Sequence, residues 1–238
     1  MQHHTAVISP KANIGSNVTI MPFAVIGDCH IGDDCVIHAH TVISDNVHLG
    51  QGVEVFPGAF LGKEPKGAGA LARRTEIKRI LTIGDNCSIG PNVVIFYDVV
   101  IGNNTLLGDG ASIREQCQIG SFCILGRYVT VNYNTKIGDR TKIMDCSHIT
   151  GNAIIGDDVF ISLLVGTTND NVVRHGYAEH VIGPTIENNV VIGVGASLLP
   201  AITIGAGATI AAGSVVTKDV AAQTLVAGVP ARFVRKNT

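Results

Sequence analysis

A period of six residues dominates the middle of the chain and limits what it can fold into. Between residues 83 and 161, all fourteen positions at this spacing are aliphatic: Ile83, Ile89, Ile95, Ile101, Leu107, Ile113, Ile119, Leu125, Val131, Ile137, Ile143, Ile149, Ile155 and Ile161. The next residue is usually Gly, and the residue four positions after the aliphatic one is small. A helix repeats every 3.6 residues and a half-buried strand every two, so neither explains the pattern. Short strands and tight turns that repeat around a prism do explain it, and they predict a parallel β-solenoid with a continuous core.

With this repeat, the sequence resembles the hexapeptide-repeat acyltransferase superfamily. The resemblance implies an all-β, left-handed parallel β-helix with three hexapeptides in each triangular coil. The left hand comes from the resemblance alone, because parallel crossovers are normally right-handed. Residues 18 apart in sequence are then vertical neighbours. The repeat predicts roughly nine or ten coils, and strand spacing of about 4.8 Å makes the prism roughly 45 Å long.

The repeat covers nearly the whole chain, which predicts a single domain over residues 1–238. Its parts are N-terminal coils (1–61), a basic loop (62–82), central coils (83–161), a polar loop (162–185), C-terminal coils (186–216) and a tail (217–238). Loops as long as these two are usually functional or disordered.

Composition excludes several classes of partner. The net charge is −2, so there is no general basic field for nucleic acid or for a membrane surface. No apolar run approaches the roughly 18 residues of a membrane span. The N-terminus has no basic segment followed by an apolar one, so we expect a cytoplasmic protein. Five of the six cysteines fit the small inward column, and we expect them to be buried rather than paired or metal-bound.

The three corners of each coil differ in their residues. The corner after Ile83 and its equivalents always begins with Gly, which we interpret as a turn that needs an unusual φ. The third corner never begins with Gly: it reads Phe96-Tyr97-Asp98, Arg114-Glu115-Gln116, Asn132-Tyr133-Asn134 and Thr150-Gly151-Asn152. Large polar and aromatic residues that break the local rule in one vertical row predict a site. The alternative is a solvated ladder of polar side chains.

Both loops leave the prism at or near this edge. The basic loop leaves from the third face and carries six cations: Lys63, Lys66, Arg73, Arg74, Lys78 and Arg79. Such a loop suits a diphosphate, although it could be an ordinary solvated loop. The polar loop, with Asn169 and Asp170, leaves after Ile161, between the second and third faces. We expect it to cap the groove, to reach a neighbouring subunit or simply to protrude.

The expected site residues follow from this geometry. His148 projects outward just before the third corner and has the pKa range of a general base, although a lone outward His is often only a surface residue. Glu115 and Asn134, on adjacent coils, are expected to hold a water or an amine. The expected substrate-binding residues are Arg114, Asn132, Tyr133, Arg73, Arg74, Asn169 and Asp170.

The C-terminal part has small residues where outward side chains would otherwise stand, at Gly193–Ala196 and Ala211–Gly213. With the segment Val226–Arg235, it closely resembles the coenzyme A end of hexapeptide acetyltransferases. The resemblance implies acetyl-CoA as co-substrate and no metal. The residues expected to bind it are Gly195, Ala196, Ala212, Gly213, Thr217, Lys218, Gly228, Pro230, Arg232 and Arg235.

Within the superfamily, the sequence looks most like N-acetyltransferases that act on nucleotide-linked (dTDP- or UDP-) 3- or 4-amino-dideoxyhexoses for surface glycans. Its start and its basic loop also resemble UDP-N-acetylglucosamine O-acyltransferases. Those enzymes take their base from His-[Asp/Glu]-x-x-[Ile/Val]-Gly, but the corresponding slot here is Gly151-Asn152. An amine loses its proton more readily than a hydroxyl, so the missing base favours the amine reading. The resemblance also implies a homotrimer with active sites between subunits.

The expected mechanism is direct attack of a sugar amine on the thioester, with backbone N–H groups at the oxyanion and His148 or Glu115 assisting deprotonation. Two alternatives come from other classes. His175 and His180 give His-x4-His, and with His148 they would make a zinc protein like the γ-carbonic anhydrases. A non-catalytic solenoid scaffold would bind no acyl-CoA.

Overall fold

The computed structural model describes residues 1–66, 76–170 and 181–237, and it consists of three β-sheets wrapped around one core. Up to β31, successive strands belong to successive sheets, so every third strand lies in the same sheet. We call the sheets I, II and III, and the corner that follows each of them the first, second and third corner. Sheets I, II and III contain ten, twelve and eleven strands, so the chain makes about eleven turns. This exceeds the nine or ten coils that the sequence predicts.

Most strands are only two residues long. Those before the basic loop are β1 (Val7–Ile8), β2 (Asn13–Ile14), β3 (Thr19–Ile20), β4 (Val25–Ile26), β5 (His30–Ile31), β6 (Val36–Ile37), β7 (Val42–Ile43), β8 (Val47–Leu49), β9 (Glu54–Val55) and β10 (Phe60–Lys63). The central strands are β11 (Leu81–Ile83), β12 (Ser88–Ile89), β13 (Val94–Phe96), β14 (Val99–Ile101), β15 (Leu106–Leu107), β16 (Ser112–Ile113), β17 (Gln118–Ile119), β18 (Ile124–Leu125), β19 (Thr130–Val131), β20 (Lys136–Ile137), β21 (Lys142–Ile143), β22 (His148–Ile149), β23 (Ile154–Ile155) and β24 (Phe160–Ile161). The last strands are β25 (Gly166–Thr167), β26 (Thr185–Ile186), β27 (Val191–Ile192), β28 (Ser197–Leu198), β29 (Thr203–Ile204), β30 (Thr209–Ile210), β31 (Val215–Val216), β32 (Thr224–Ala227) and β33 (Arg232–Lys236).

Sheet I runs from β2 to β29, sheet II from β3 to β30 with β32 and β33 added, and sheet III from β1 to β31. The strand pairs are parallel except β32 with β33, which forms an antiparallel hairpin in the tail. The described part of the chain has no helix long and apolar enough to cross a membrane.

The six-residue period is the period of the core. All fourteen aliphatic residues from Ile83 to Ile161 are at most 4% exposed. They also stack in register: Ile95 pairs with Ile113, and Ile113 pairs with Val131 on the following coil. Each such side chain contributes about 1.5–3 kcal/mol by leaving water. The prediction that residues 18 apart are vertical neighbours is therefore confirmed in the central coils.

The glycines of the first corner have another role than the one we expected. The left-handed conformation belongs to the third residue of the turn, as in Asn104 (φ 55°) and Phe122 (φ 58°). Gly138, a first residue, is not in that region, but a Cβ on it would lie 2.6 Å from the carbonyl carbon of Gly156 on the next coil. Gly is therefore needed because successive coils approach closely, and our interpretation from φ was wrong.

The polar loop leaves the prism later than predicted. The repeat continues past Ile161, because Val165 is buried and β25 pairs with both β22 and β28. The chain departs only after sheet III, at the third corner, and regular structure resumes at β26. The basic loop follows β10, which also lies in sheet III. Both loops therefore start from the same corner, which is a closer convergence than the sequence predicts.

The cysteines behave as small core residues. Five are buried, as predicted, and all six are free thiols. Burial raises the pKa of the Cys29 and Cys117 thiols to about 12. Cys146 is the exposed one and lies in a second corner.

Candidate active site

The third corner gathers the polar residues that the sequence assigns to it. Parallel pairing of β13, β16, β19 and β22 stacks the corner on four successive coils. Its first residues form the row Phe96, Arg114, Asn132 and Thr150. Its second residues form the row Tyr97, Glu115, Tyr133 and Gly151. Asn132 is half-buried in the first row, and Asn134 stands exposed at the third position of the same turn.

A buried ion pair lies at the centre of this corner. The Glu115 side chain is 0% exposed and the Arg114 side chain 26% exposed. Arg114 donates from Nε to Oε2 of Glu115 at 3.1 Å and from Nη2 to Oε1 at 2.8 Å. Such two-point, charge-assisted pairing fixes the guanidinium plane. The contact of Glu115 with a water or an amine stays a prediction, since its carboxylate is covered in this structure.

Aromatic rings enclose the same guanidinium. Cζ of Arg114 lies 5.8 Å from the centroid of the Phe96 ring and 5.4 Å from that of Tyr133. Nζ of Lys63 lies 4.8 Å from the centroid of the Phe96 ring. Cations within about 6 Å of a ring centroid are attracted by the ring quadrupole. The result is a stack of alternating cations and rings, Lys63, Phe96, Arg114 and Tyr133, along the corner.

Gly151 makes room for the Tyr133 ring. A Cβ on Gly151 would lie 2.7 Å from carbons of that ring. Asn169, at the start of the polar loop, donates from Nδ2 to the carbonyl of Gly151 at 2.9 Å and to the Tyr133 hydroxyl at 3.4 Å. The ring is therefore held between Arg114 and the backbone of the next coil.

The other end of the polar loop is tied to the same corner. Asn134 donates from Nδ2 to Oδ1 of Asn152 at 2.8 Å, and Asn152 donates from Nδ2 to the carbonyl of Val181 at 2.6 Å. Asp170, exposed, follows Asn169 at the start of the loop.

The described end of the basic loop also lies along the third corner. Gln116 donates from Nε2 to the carbonyl of Glu76 at 3.0 Å, and the backbone N–H of Lys78 donates to Oδ2 of Asp98 at 3.3 Å. Cζ of Arg79 lies 5.6 Å from the centroid of the buried Tyr97 ring. These contacts place the loop over the predicted edge.

Four residues that the sequence singles out lie outside the described residues: Arg73, Arg74, His175 and His180. Substrate contacts of the two arginines stay predictions. Within the ranges described, no three His, Cys, Asp or Glu side chains are arranged to hold a metal ion.

His148 stands on the outer surface of β22, exposed, at the entrance to the third corner. Its Nδ1 lies 2.7 Å from Oγ1 of Thr130, which is the equivalent residue of the preceding coil. Partial burial of the ring lowers the pKa of His148 below its usual 6.5, which favours the neutral imidazole. The equivalent residue of the following coil is Gly166, where an added Cβ would meet no heavy atom of the residues that the structure describes within 4 Å. Thr130 was not among the residues predicted for the site, although it lies one 18-residue step before His148.

The small residues of the C-terminal coils lie mainly at the second corner. Gly195 and Gly213 adopt φ values of 67° and 66°, and in the described part of the chain a Cβ on either would meet no heavy atom within 4 Å. Ala212 and Gly228 are exposed at the same corner. Ala196 is 0% exposed and packs in the core, so the prediction that it lines an outer channel was wrong.

A cleft of about 420 Å³ lies at the C-terminal end of the prism. Thr217, Lys218 and Arg232 line it, as the resemblance implies for the nucleotide end of coenzyme A, and Phe233 lies beside them. Pro230 and Arg235 are exposed and do not line this cleft. Arg235 instead donates from Nη1 to the carbonyl of Lys236 at 3.1 Å.

The six-residue repeat of the core and the three-sheet fold agree with comparisons to known proteins. The family of bacterial transferase hexapeptides (six repeats) matches residues 11–45, 98–132 and 183–218. This match confirms the resemblance to the hexapeptide-repeat acyltransferase superfamily. The predicted fold class, an all-β, left-handed parallel β-helix, is confirmed with it.

Two curated members of the superfamily are similar over different lengths. The acyl-[acyl-carrier-protein]--UDP-N-acetylglucosamine O-acyltransferase of Chlamydia caviae is 34% identical over 112 residues, which are 44% of this chain and 39% of that protein. The bifunctional protein GlmU of Acinetobacter baumannii (strain AYE) is 32% identical over 206 residues, which are 85% of this chain and 39% of that protein. The chain thus spans about two fifths of the length of these relatives.

A solved member of the superfamily has the same fold. The Arabidopsis UDP-N-acetylglucosamine acyltransferase superposes with a TM-score of 0.62 at 22% identity, covering 100% of this chain and 74% of its own. In the O-acyltransferase pattern His-[Asp/Glu]-x-x-[Ile/Val]-Gly, the slot for the base corresponds to Gly151-Asn152 of this chain. Here the Tyr133 ring fills the space that a side chain on Gly151 would need.

Proposed function

We propose that this protein transfers an acyl group from a pantetheine thioester to a nucleotide-linked sugar at the third corner. The observation that carries the proposal is the placement of His148, exposed and favoured in its neutral form, at the entrance to the corner that holds Arg114 and Tyr133. Polar side chains of both loops meet at this corner. The small residues of the C-terminal coils, which lie mainly at the second corner, would supply a surface for the donor.

For the acceptor atom, we propose a sugar hydroxyl. The O-acyltransferase among the relatives is named for UDP-N-acetylglucosamine, and this favours oxygen over the amino group that the sequence suggested. A 3- or 4-amino-dideoxyhexose linked to dTDP or UDP remains the second candidate. It is favoured by the filled base slot at Gly151, because an amine needs less help to lose its proton.

The diphosphate of the substrate needs net positive charge, which Arg114 does not supply because Glu115 neutralises it. We assign this role to the basic loop. Lys63 and Lys78 lie next to the corner, and Arg73 and Arg74 belong to the same loop. Asn132, Asn134, Asn169 and Asp170 offer neutral or acidic partners for sugar hydroxyls.

The chemical step is an acyl transfer without an external oxidant or reductant. The acceptor oxygen attacks the thioester carbon, Nε2 of His148 takes its proton, and backbone N–H groups stabilise the oxyanion. The carbon–sulfur bond then breaks, and the thiolate leaves and accepts a proton. With an amine acceptor, the same steps produce an amide.

For the donor, we propose that the nucleotide end of acetyl-CoA binds in the cleft of Thr217, Lys218 and Arg232. Acyl carrier protein carries the same pantetheine arm and occurs in the name of one relative. A Lys218→Ala protein separates the two donors, because it should raise KM for acetyl-CoA and leave KM for the carrier unchanged. Lys142→Ala, an exposed Lys on sheet II, is the matched control.

We also propose a cytoplasmic homotrimer with active sites between subunits. Its support is an exposed apolar strip along the second corner, where Tyr128 is 65% and Leu164 58% exposed. Light scattering should give three times the 24.9 kDa of one chain. A monomeric mass would contradict the assembly.

The deciding experiment is a matrix of donors and acceptors with free thiol and acylated sugar as readouts. UDP-N-acetylglucosamine and the dTDP- and UDP-linked amino sugars are each paired with acetyl-CoA and with acyl carrier protein. We expect turnover with a UDP-linked sugar and its loss to background in His148→Ala. Turnover only with amino sugars selects the second candidate, and no turnover with any pair contradicts the proposed function. Retention of most activity in His148→Ala removes His148 as the base.

A further inference from the structure

We propose that Thr130 is a positioning residue, which holds His148 with its proton on Nδ1 and leaves Nε2 as the proton acceptor. This inference rests on the proposed role of His148. It concerns a residue of another coil that does not itself touch the substrate.

The geometry comes from the stacking of β19, β22 and β25 in sheet III. Thr130, His148 and Gly166 succeed one another in its outer row. Oγ1 of Thr130 and Nδ1 of His148 are 2.7 Å apart, and within the described ranges this is the one hydrogen bond of the Thr130 hydroxyl. A stiff β-branched residue on a rigid ladder therefore engages one imidazole nitrogen.

The opposite side of the row carries no side chain. A Cβ on Gly166 would have no heavy atom of the described residues within 4 Å. Since Thr130 engages Nδ1 from the coil before, Nε2 is the nitrogen that is left for a ligand. Gly166 is not needed for a left-handed turn, because its φ is not positive. The gap on the following coil gives a reacting group access to the ring.

The proton position decides what the ring can do. If Nδ1–H donates to Thr130, Nε2 has a lone pair and accepts the proton of the acceptor hydroxyl. The hydrogen bond to Thr130 then persists in the imidazolium, so nothing reorganises during the step. If the Thr130 hydroxyl donated to Nδ1 instead, the ring proton would be on Nε2. Nε2 could then not accept the proton of the acceptor hydroxyl.

The first test reads the tautomer directly. Long-range ¹⁵N–¹H spectra of the full-length protein report which nitrogen is protonated, and a His148→Gln spectrum assigns the signal among the nine histidines. We expect the Nδ1–H form in the wild type and a mixture in Thr130→Val. An Nε2–H form in the wild type overturns the inference, whatever the activity.

The second test reads catalysis. Thr130→Val should lower kcat/KM by about tenfold, the effect of one lost hydrogen bond of about 1.4 kcal/mol, mainly through kcat. Thr130→Ser should restore it, and Ser112→Ala, one coil earlier in the same row, should leave it unchanged. Unchanged kcat/KM in Thr130→Val overturns the positioning role. Full activity in His148→Ala overturns the base role instead, so the two failures are distinguishable.

Discussion

The buried pair of Arg114 and Glu115 gives a prediction whose size follows from the structure. Glu115→Gln keeps the shape of the side chain and removes its charge. The guanidinium then keeps its place between Phe96 and Tyr133 but loses the carboxylate that neutralises it. Breaking a buried pair by removing one partner costs about 3–5 kcal/mol. Arg114 is 26% exposed and retains some water, so we expect about 2–3 kcal/mol for this variant.

The assay is thermal unfolding followed by circular dichroism, at one fixed protein concentration. In a chain of this length, 1 kcal/mol shifts Tm by about 2–4 °C, so Glu115→Gln should lower Tm by about 5–10 °C. Arg114→Met should also lower Tm, because it removes a two-point, charge-assisted partner from a carboxylate with no exposed surface. The double variant should lose less stability than the two single-variant losses added together, since either change alone already disrupts the same pair.

The matched control is an exposed pair with similar geometry. Arg140 donates to both carboxylate oxygens of Asp158, at 2.7 and 2.8 Å, but both side chains are largely in water. Asp158→Asn should therefore leave Tm unchanged. The reasoning is refuted if Glu115→Gln melts within a degree of the wild type, or if the two single-variant effects simply add.

Three further predictions test other parts of the structure. Gly138→Ala should lower Tm by several degrees, because its Cβ would lie 2.6 Å from the backbone of the next coil. Gly166→Ala is the control and should leave Tm unchanged. Equal changes in Tm would contradict the argument from close approach of the coils. In the folded protein at pH 8, the five buried thiols should react with a disulfide reagent only after unfolding, whereas Cys146, exposed in the single chain, lies between Tyr128 and Leu164 in the strip proposed as the trimer interface; more than one fast equivalent would contradict the burial. Since the pKa of His148 is lowered, kcat/KM should fall with acid only below pH 6.5, as protonation removes the base; an acid limb centred above 6.5 would contradict this.

The sequence predicts the fold well because the core repeats. A side chain such as Ile113 has the same environment as Ile95 one coil earlier, so a single pattern, sampled fourteen times, specifies the whole prism. For the same reason, the third corner stood out as the place where large residues replace Gly. Its stacking follows from the 18-residue step and is confirmed by the strand pairing.

The contacts within the site were less accessible to sequence reasoning. Arg114 and Glu115 are neighbours in sequence, and nothing in that order says that their charges neutralise each other in a buried pair. The predicted start of the polar loop, residue 162, was too early, because Gly166 and Thr167 do not continue the six-residue aliphatic pattern. These two residues nevertheless form β25, which pairs with β28. Ala196 was assigned to the outside by its small size, but small residues fill the inner column as well.

The position of the base connects the fold to the choice of acceptor. The pattern of the UDP-N-acetylglucosamine O-acyltransferases has a histidine at the position where this chain has Gly151. Here the Tyr133 ring occupies that space and is held by Asn169, so a base cannot return to the corner without displacing the ring. The proposed base therefore lies on the strand that enters the corner, where β22 presents His148. The His148 imidazole is hydrogen-bonded to Thr130 of the preceding coil and faces Gly166 of the following one. In this arrangement the proposed base could take a proton from a hydroxyl as well as from an amine. The filled slot at Gly151 therefore does not by itself favour the amine as acceptor.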